Sequence, residues 1–184
     1  MSENVDSYSS TNENSSAEGS ARNEQLVNKL NIALNTVLEE NKLLQNYKKI
    51  ISFQRTSIFS APQIPSISIK NYLSRIQKFT ESEENTLISS LIYLDKLTQM
   101  SGIILSPYNI HRLLFIAILT SIKYNEDVIY NNEYYAKVAG ITTKELNCLE
   151  FKFLDLLQFR LFISKEEFET YKKYLMNIKF NEDD

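Results

Sequence analysis

The chain has 184 residues, a formal net charge of -3 and a single cysteine, Cys148, so we expect one folded domain without a disulfide framework, in a reducing compartment. The acidic balance argues against nucleic acid as the main ligand, because phosphate binding needs a basic surface. The longest apolar run, residues 113–119, is too short to span a bilayer, and no signal-peptide core precedes it. These features predict a soluble intracellular protein, cytoplasmic or nuclear, without a membrane partner.

The first part of the chain is predicted to be a polar tail followed by one long helix. Residues 1–22 are rich in Ser, Asn, Glu and Thr, which bury too little apolar surface to offset the entropy of ordering, so a disordered tail is expected. From 24 to 52, apolar residues recur at steps of three and four, as on one face of a helix. The pattern is too short for a coiled coil and favours docking on the domain that follows. Residues 53–65 contain Pro62 and Pro65 and are predicted to be a linker.

Five helices are predicted for the compact part of the chain, residues 66–162. With three glycines and three prolines in the whole chain, tight hairpins have few sites, which favours an all-α fold. The third of the five helices is apolar on nearly all sides and should lie at the centre. A further helix is predicted over 163–178, followed by a short tail over 179–184. Capping signals for the later helices occur at Thr80, Ser106, Asn131 or Asn132, Thr142 and Ser164.

The sequence carries no recognisable set of catalytic residues, metal ligands or cofactor-binding residues. His111 is the only histidine and Cys148 the only cysteine, and they fall on separate predicted helices, so we expect structural roles for both. Two such side chains are too few for a zinc site. The three glycines occur singly, so the chain has no glycine-rich phosphate loop. We therefore predict a non-enzymatic protein with no cofactor and no small-molecule ligand.

Three charged residues fall among apolar neighbours at helical spacing: Asp95, Lys123 and Glu150. Burying a charge is costly unless a partner charge or hydrogen bonds compensate it. For Asp95 the natural partner is Arg75, one helix earlier, because an Arg–carboxylate bridge would hold the first two helices together. No such partner is evident for Lys123 or Glu150. Two interpretations stay open for these two residues: partial exposure to solvent, or contact with a second protein.

The chain resembles, in six segments that keep their order and spacing, the cyclin box of P/U-type (PHO-type) cyclins. The segments are YLSRIQKFT at 72–80, IYLDKL at 92–97, SPYNIHRLL at 106–114, SIKYNED at 121–127, YYAKVAGIT at 134–142 and ELNCLEFKFLDLLQFRL at 145–161. Together they span more than half of the chain. The resemblance implies the five-helix cyclin fold with a single cyclin box, and a cyclin-dependent protein kinase as partner.

The resemblance also implies roles for individual residues. Lys123 and Glu150 are similar to the lysine and glutamate with which cyclins contact the C-helix of the kinase and the backbone beside it. Fifth-helix positions that pack on the same C-helix correspond to Leu154, Leu157 and Leu161. Arg75 and Asp95 resemble the buried pair that braces the first two helices. The implied function is a regulatory subunit that activates the kinase by positioning its C-helix.

Other functions stay open at this point. The chain has no tryptophan, so the methionine-and-tryptophan docking patch of mitotic cyclins is missing, which argues against substrate recruitment by that patch. One alternative is a cyclin-fold scaffold or transcription-related adaptor that binds peptides without a kinase. Another is an adaptor that self-associates through the helix predicted over 24–52. The sequence does not distinguish cell-cycle, nutrient-signalling and transcriptional roles.

Overall fold

The computed structural model describes the backbone of residues 10–179 and the side chains of residues 23–179. The described residues form eight helices and no strand, so the fold is all-α, as the sequence predicted. In chain order the helices are α1 (Ser10–Lys42), α2 (Tyr47–Gln54), α3 (Ile69–Thr80), α4 (Glu84–Ser101), α5 (Ile110–Asn125), α6 (Asn132–Ala139), α7 (Thr143–Leu156) and α8 (Lys165–Asn177). Among them, none combines the length and apolar character that a membrane crossing requires.

Helix α5 lies at the centre of the core. Every residue from Leu113 to Ile122 is buried, as the sequence of this helix, with almost no polar face, predicts. Helices α3, α4, α6 and α7 all pack against it. The aromatic side chains of Tyr93, Phe115 and Phe153 fill the space between these helices and are at most 2% exposed.

Three of the predicted helix starts coincide with side-chain caps. The backbone N–H three residues further on donates to the side chain of Asn131, Thr142 and Ser164. The other two starts lie later than predicted. Thr80 is the last residue of α3, and α4 begins after Glu83. Ser106 is followed by a turn, and α5 begins after Asn109, whose side-chain oxygen accepts a hydrogen bond from the Ser106 N–H at 2.8 Å.

The N-terminal helix is built into the core. Helix α1 begins at Ser10, inside the segment predicted to be a tail, and a turn at residues 43–46 divides the helix predicted over 24–52. Asn46 in this turn has a left-handed backbone (φ 64°). The apolar face of α1 packs on α3 and α8, and its buried side chains are Leu26, Val27, Leu30, Ala33, Leu34 and Leu38. Within residues 23–42 this face is therefore covered by helices of the same chain.

The segment predicted to be a linker, residues 53–65, also packs on the globule. Phe59 is 1% exposed. Arg112 of α5 donates from Nη1 to the carbonyl oxygens of Ile58 at 2.8 Å and Ser60 at 3.1 Å. One buried aromatic side chain and one arginine thus help to fix the segment on the globule. Residues 1–9 of the predicted N-terminal tail and 180–184 of the predicted C-terminal tail lie outside the described residues.

Candidate functional site

Lys123 in the last turn of α5 and Glu150 in the middle of α7 form an ion pair. The Nζ atom lies 2.5 Å from Oε1, and the two side chains are 28% and 16% exposed. Each residue is therefore the partner of the other, although the sequence does not reveal it. Packing of α5 on α7 brings together two residues that are 27 positions apart in the chain.

The second oxygen of Glu150 is held from α6. Asn132, the first residue of that helix, donates from Nδ2 to Oε2 of Glu150 at 3.1 Å and to Oδ1 of Asn147 at 2.7 Å. The carboxylate is thus oriented by α5 on one side and by α6 on the other. Asn132 is a site residue that the sequence does not reveal, because an uncharged side chain at the start of a helix carries no distinguishing signal.

Exposed aromatic side chains flank the ion pair. Phe151, the neighbour of Glu150 in sequence, is 67% exposed, and Tyr124, the neighbour of Lys123, is 52% exposed. After α7, Phe159 and Phe162 are 63% and 75% exposed. Tyr124 and Phe162 line one cleft of about 580 Å³. Such a concentration of exposed aromatic surface is characteristic of protein interfaces, in which aromatic side chains are enriched.

The three leucines to which the family resemblance gives a role in partner contact differ in exposure. Leu154 and Leu161 are half-buried, and Leu161 lines the same cleft as Tyr124 and Phe162. Leu157 is 0% exposed and belongs to the core, so it supports the surface from below rather than forming part of it. Helical spacing identifies the face on which Leu157 lies but does not reveal how deeply that face is covered.

Phe159 is presented by a turn with an unusual backbone. Gln158 and Phe159 have φ angles of 52° and 55°, in the left-handed region that costs a non-glycine residue roughly 1–2 kcal/mol. The turn is closed by hydrogen bonds from the Phe159 N–H to the Leu154 carbonyl and from the Arg160 N–H to the Leu157 carbonyl, both at 3.0 Å. Backbone strain of this kind tends to accumulate at functional sites. No glycine or asparagine marks the turn in the sequence, so the turn is not predictable from the sequence pattern.

The structure does not bring Arg75 and Asp95 together. Arg75 is exposed on α3 and donates from Nη2 to the carbonyl oxygen of Lys137 on α6 at 3.1 Å. Asp95 on α4 accepts hydrogen bonds from the Tyr171 hydroxyl on α8 and from Gln99 Nε2. Burial and the adjacent Asp95 carboxylate raise the pKa of Tyr171, so this hydroxyl remains a donor. The predicted bridge is replaced by separate contacts, because α6 and α8 supply nearer partners.

His111 and Cys148 do not form a joint site. His111 Nε2 lies 2.9 Å from the Ile67 carbonyl oxygen and therefore donates to it, whereas Nδ1 is buried without a partner. Burial lowers the pKa of His111. Cys148 is exposed on α7. Within the part of the chain that the structure describes, no group of three or more His, Cys, Asp and Glu residues is placed to hold a metal ion.

Known proteins resemble this chain over most of its length. A family model described as Cyclin matches residues 2–161. The chain is 36% identical over 152 residues to Cyclin-U4-1 of Arabidopsis thaliana, an alignment that covers 82% of the chain and 74% of that protein. It is 38% identical to Cyclin-U2-1 of the same plant, with 65% of the chain and 54% of the relative covered. It is 41% identical to the PHO85 cyclin-like protein psl1 of Schizosaccharomyces pombe, with 65% and 50% covered. The chain thus spans about half the length of the last two relatives.

Proposed function

The chain belongs to the cyclin family, as a single-box cyclin of the P/U (PHO) type, and we propose that it binds and activates a cyclin-dependent protein kinase as its non-catalytic subunit. The observation that carries the proposal is the Lys123–Glu150 ion pair, which is partly exposed and flanked by exposed aromatic side chains. A surface that joins fixed charges to apolar area suits a helix of a partner protein better than a small substrate.

The partner would contact the ion pair without breaking it. An ammonium group has three donors and a carboxylate has about four acceptor positions, and Lys123 and Glu150 use only some of these for each other and for Asn132. The remaining positions are available to backbone carbonyl and N–H groups of the kinase. Because the pair is already ordered, binding loses less side-chain entropy than it would with free side chains. Phe151, Phe159 and Leu154 would supply the apolar contact around it.

Activation would then follow from preferential binding to one state of the kinase. A lysine on the third strand of a protein kinase must pair with a glutamate on the C-helix before the ATP phosphates are held correctly. The chain would bind the kinase with its C-helix turned inward more tightly than the kinase with the helix turned outward. A shift from roughly 1:99 to 99:1 in favour of the competent state requires a preference of about 10⁴-fold. No residue of the chain takes part in phosphoryl transfer.

The name of the fission-yeast relative, a PHO85 cyclin-like protein, suggests a kinase of the PHO85 type for the first test. We expect Glu150→Ala to raise the dissociation constant roughly 100-fold or more, because removing one member of a buried charged contact costs about 3–5 kcal/mol. Kinase activity at a fixed concentration of the chain should fall with it. The matched control is Glu39→Ala, which removes the carboxylate of an exposed ion pair with Lys42 (2.6 Å) on α1 and should change neither quantity.

Two outcomes would overturn different parts of the proposal. If the double variant Lys123→Ala/Glu150→Ala still binds and activates the kinase, the assignment of the interface is wrong. If the unaltered chain neither binds nor activates a kinase of this type, the assignment of the partner is wrong. If other cyclin-dependent kinases also fail to bind, the chain is a cyclin-fold adaptor without a kinase.

A further inference from the structure

A cleft of about 440 Å³ lies between α1, α4, α8 and the loop that follows α4. Its walls are mainly aliphatic, with Leu34 and Val37 from α1, Leu94 from α4 and Ile103 from the loop. None of these elements contributes to the Lys123–Glu150 pair. A concave site of a few hundred Å³ with apolar walls and few polar groups has the usual character of a small-molecule site.

One carboxylate, that of Asp95, lies in the wall of this cleft. The Tyr171 hydroxyl and the Gln99 amide both donate to the same oxygen, Oδ2. Among the described residues, none donates a hydrogen bond to Oδ1 and no lysine or arginine lies within ion-pair distance of the carboxylate. The cleft therefore offers an acceptor oxygen without a described donor and a carboxylate without a described cation.

The lysines that follow Asp95 and Tyr171 in the sequence are engaged elsewhere. Lys96, the next residue in the chain, pairs with Glu167 at 3.1 Å and donates to the Phe162 carbonyl at 2.9 Å. Lys172 of α8, the next residue after Tyr171, pairs with Glu84 at 3.1 Å. A positive charge for Asp95 would thus have to come from outside the described chain.

We propose that this cleft binds a small organic cation, an ammonium or guanidinium group carried on an apolar body. The cation would lie at Oδ1 of Asp95, and the apolar body would lie against Leu94 and Ile103. A charge-assisted hydrogen bond in a partly apolar cleft is stronger than the same contact at an open surface. The rings of Tyr171 and Tyr174, which also line the cleft, offer faces that attract cations. The sequence predicts no such ligand, because three elements far apart in the chain form the cleft.

The test compares a cation with a neutral molecule of the same shape on the full chain. The probes are 2-phenylethylamine and 2-phenylethanol, titrated while the methyl resonances of Leu94 and Ile103 are followed by NMR. The amine should shift these resonances in a saturable way and raise the melting temperature of the chain. The alcohol should bind at least roughly tenfold more weakly, because it lacks the charge that pairs with Asp95.

Variants locate the effect. Asp95→Asn keeps the shape of the side chain and an oxygen for Tyr171, and it should weaken amine binding roughly tenfold without changing that of the alcohol. The matched control, Asp155→Asn, alters an aspartate on α7 whose side chain is 51% exposed and should leave both affinities unchanged. Equal affinity for amine and alcohol, or no saturable shift up to about 10 mM of amine, would overturn the proposal. The comparison of amine with alcohol and the search for a saturable shift are both made on the unaltered chain. The test therefore does not depend on how the variants fold.

Discussion

Lys123 and Glu150 hold each other in the free protein, with Nζ 2.5 Å from Oε1. The pair joins the end of α5 to the middle of α7. Since the side chains are 28% and 16% exposed, solvent screens the attraction, and the pair contributes on the order of 1 kcal/mol or less to folding. Its main consequence is therefore positional: both charges are fixed at one place on the surface before a partner arrives.

Removing the pair should change folding much less than partner binding. We expect the coupling free energy between Lys123→Ala and Glu150→Ala, from a double-mutant cycle of unfolding, to be about 1 kcal/mol or less. In the same variants, each single substitution should weaken the free energy of kinase binding by several times that amount. Calorimetric unfolding and titration with the kinase measure the two quantities. Loss of cooperative unfolding in either single variant would show that the pair is needed for the fold itself.

Helix content and the central position of α5 are predictable from the sequence because they depend on local signals. Apolar periodicity, caps such as Thr142 and Ser164, and a helix apolar on all sides each act within a few residues. The incorporation of α1 is harder to predict. The apolar residues along one face of α1 indicate that this face is buried, but they do not reveal that α3 and α8 cover it.

The site is predictable only in part, because its contacts depend on packing between distant elements. Charge in an apolar setting identifies Lys123 and Glu150 correctly as unusual, but their mutual contact depends on how α5 lies against α7. The same spacing logic pairs Asp95 with Arg75, although Tyr171 on α8 reaches Asp95 instead. Sequence patterns thus find the residues under constraint more reliably than they find the partners of those residues.

Phe159 combines an exposed ring with a left-handed backbone, so one substitution should separate stability from binding. Phe159→Gly relieves strain of about 1–2 kcal/mol and adds an entropic cost of roughly 0.5–1 kcal/mol, so the melting temperature should hold or rise. Kinase binding should weaken at least about tenfold, because the aromatic contact is lost. The control for binding is Phe53→Ala, which removes an 81% exposed ring on α2. A clear drop in the melting temperature of Phe159→Gly would contradict the described turn.

Helix α1 should be required for folding. Its buried leucine and valine side chains are each worth about 1.5–3 kcal/mol, and together they rival the total stability of about 5–15 kcal/mol of an ordinary domain. A chain that begins at Ser66, the predicted start of the cyclin box, should therefore lack a cooperative thermal transition. A chain that begins at Asn23 keeps every residue of α1 that the structure describes as buried and should retain one. Cooperative unfolding of residues 66–184 alone, seen by calorimetry, would show that the cyclin box folds without α1.

Arg75 and Asp95 should act independently on stability. Arg75→Ala removes an exposed hydrogen bond to the Lys137 carbonyl, whereas Asp95→Asn alters the contact with Tyr171. Because the two sites share no partner, the free-energy changes of the single variants should add in the double variant to within about 0.5 kcal/mol. Denaturant unfolding of the four proteins measures this. A coupling free energy well above about 1 kcal/mol would show that Arg75 and Asp95 interact directly, as the sequence predicts.

The lowered pKa of His111 should make folding stability depend on pH. Burial disfavours the charged imidazolium, and the hydrogen bond to the Ile67 carbonyl offsets this only in part. Below pH 6.5, the ordinary pKa of histidine, the unfolded chain therefore binds a proton that the folded chain does not bind until the pH is lower. The contribution of His111 to folding stability is fully present above pH 6.5 and is lost as the pH falls from there towards the folded-state pKa.

Melting temperatures measured between about pH 7.5 and pH 5.5, the range in which histidine titrates, should fall with pH in the unaltered chain. In His111→Gln, which keeps an amide donor for Ile67, they should fall less steeply. Because His111 is the only histidine, no other imidazole can produce the difference. Parallel curves for the two proteins would mean that His111 takes up its proton equally well in the folded and unfolded states. The burial of Nδ1 without a partner would then not hinder protonation of the ring.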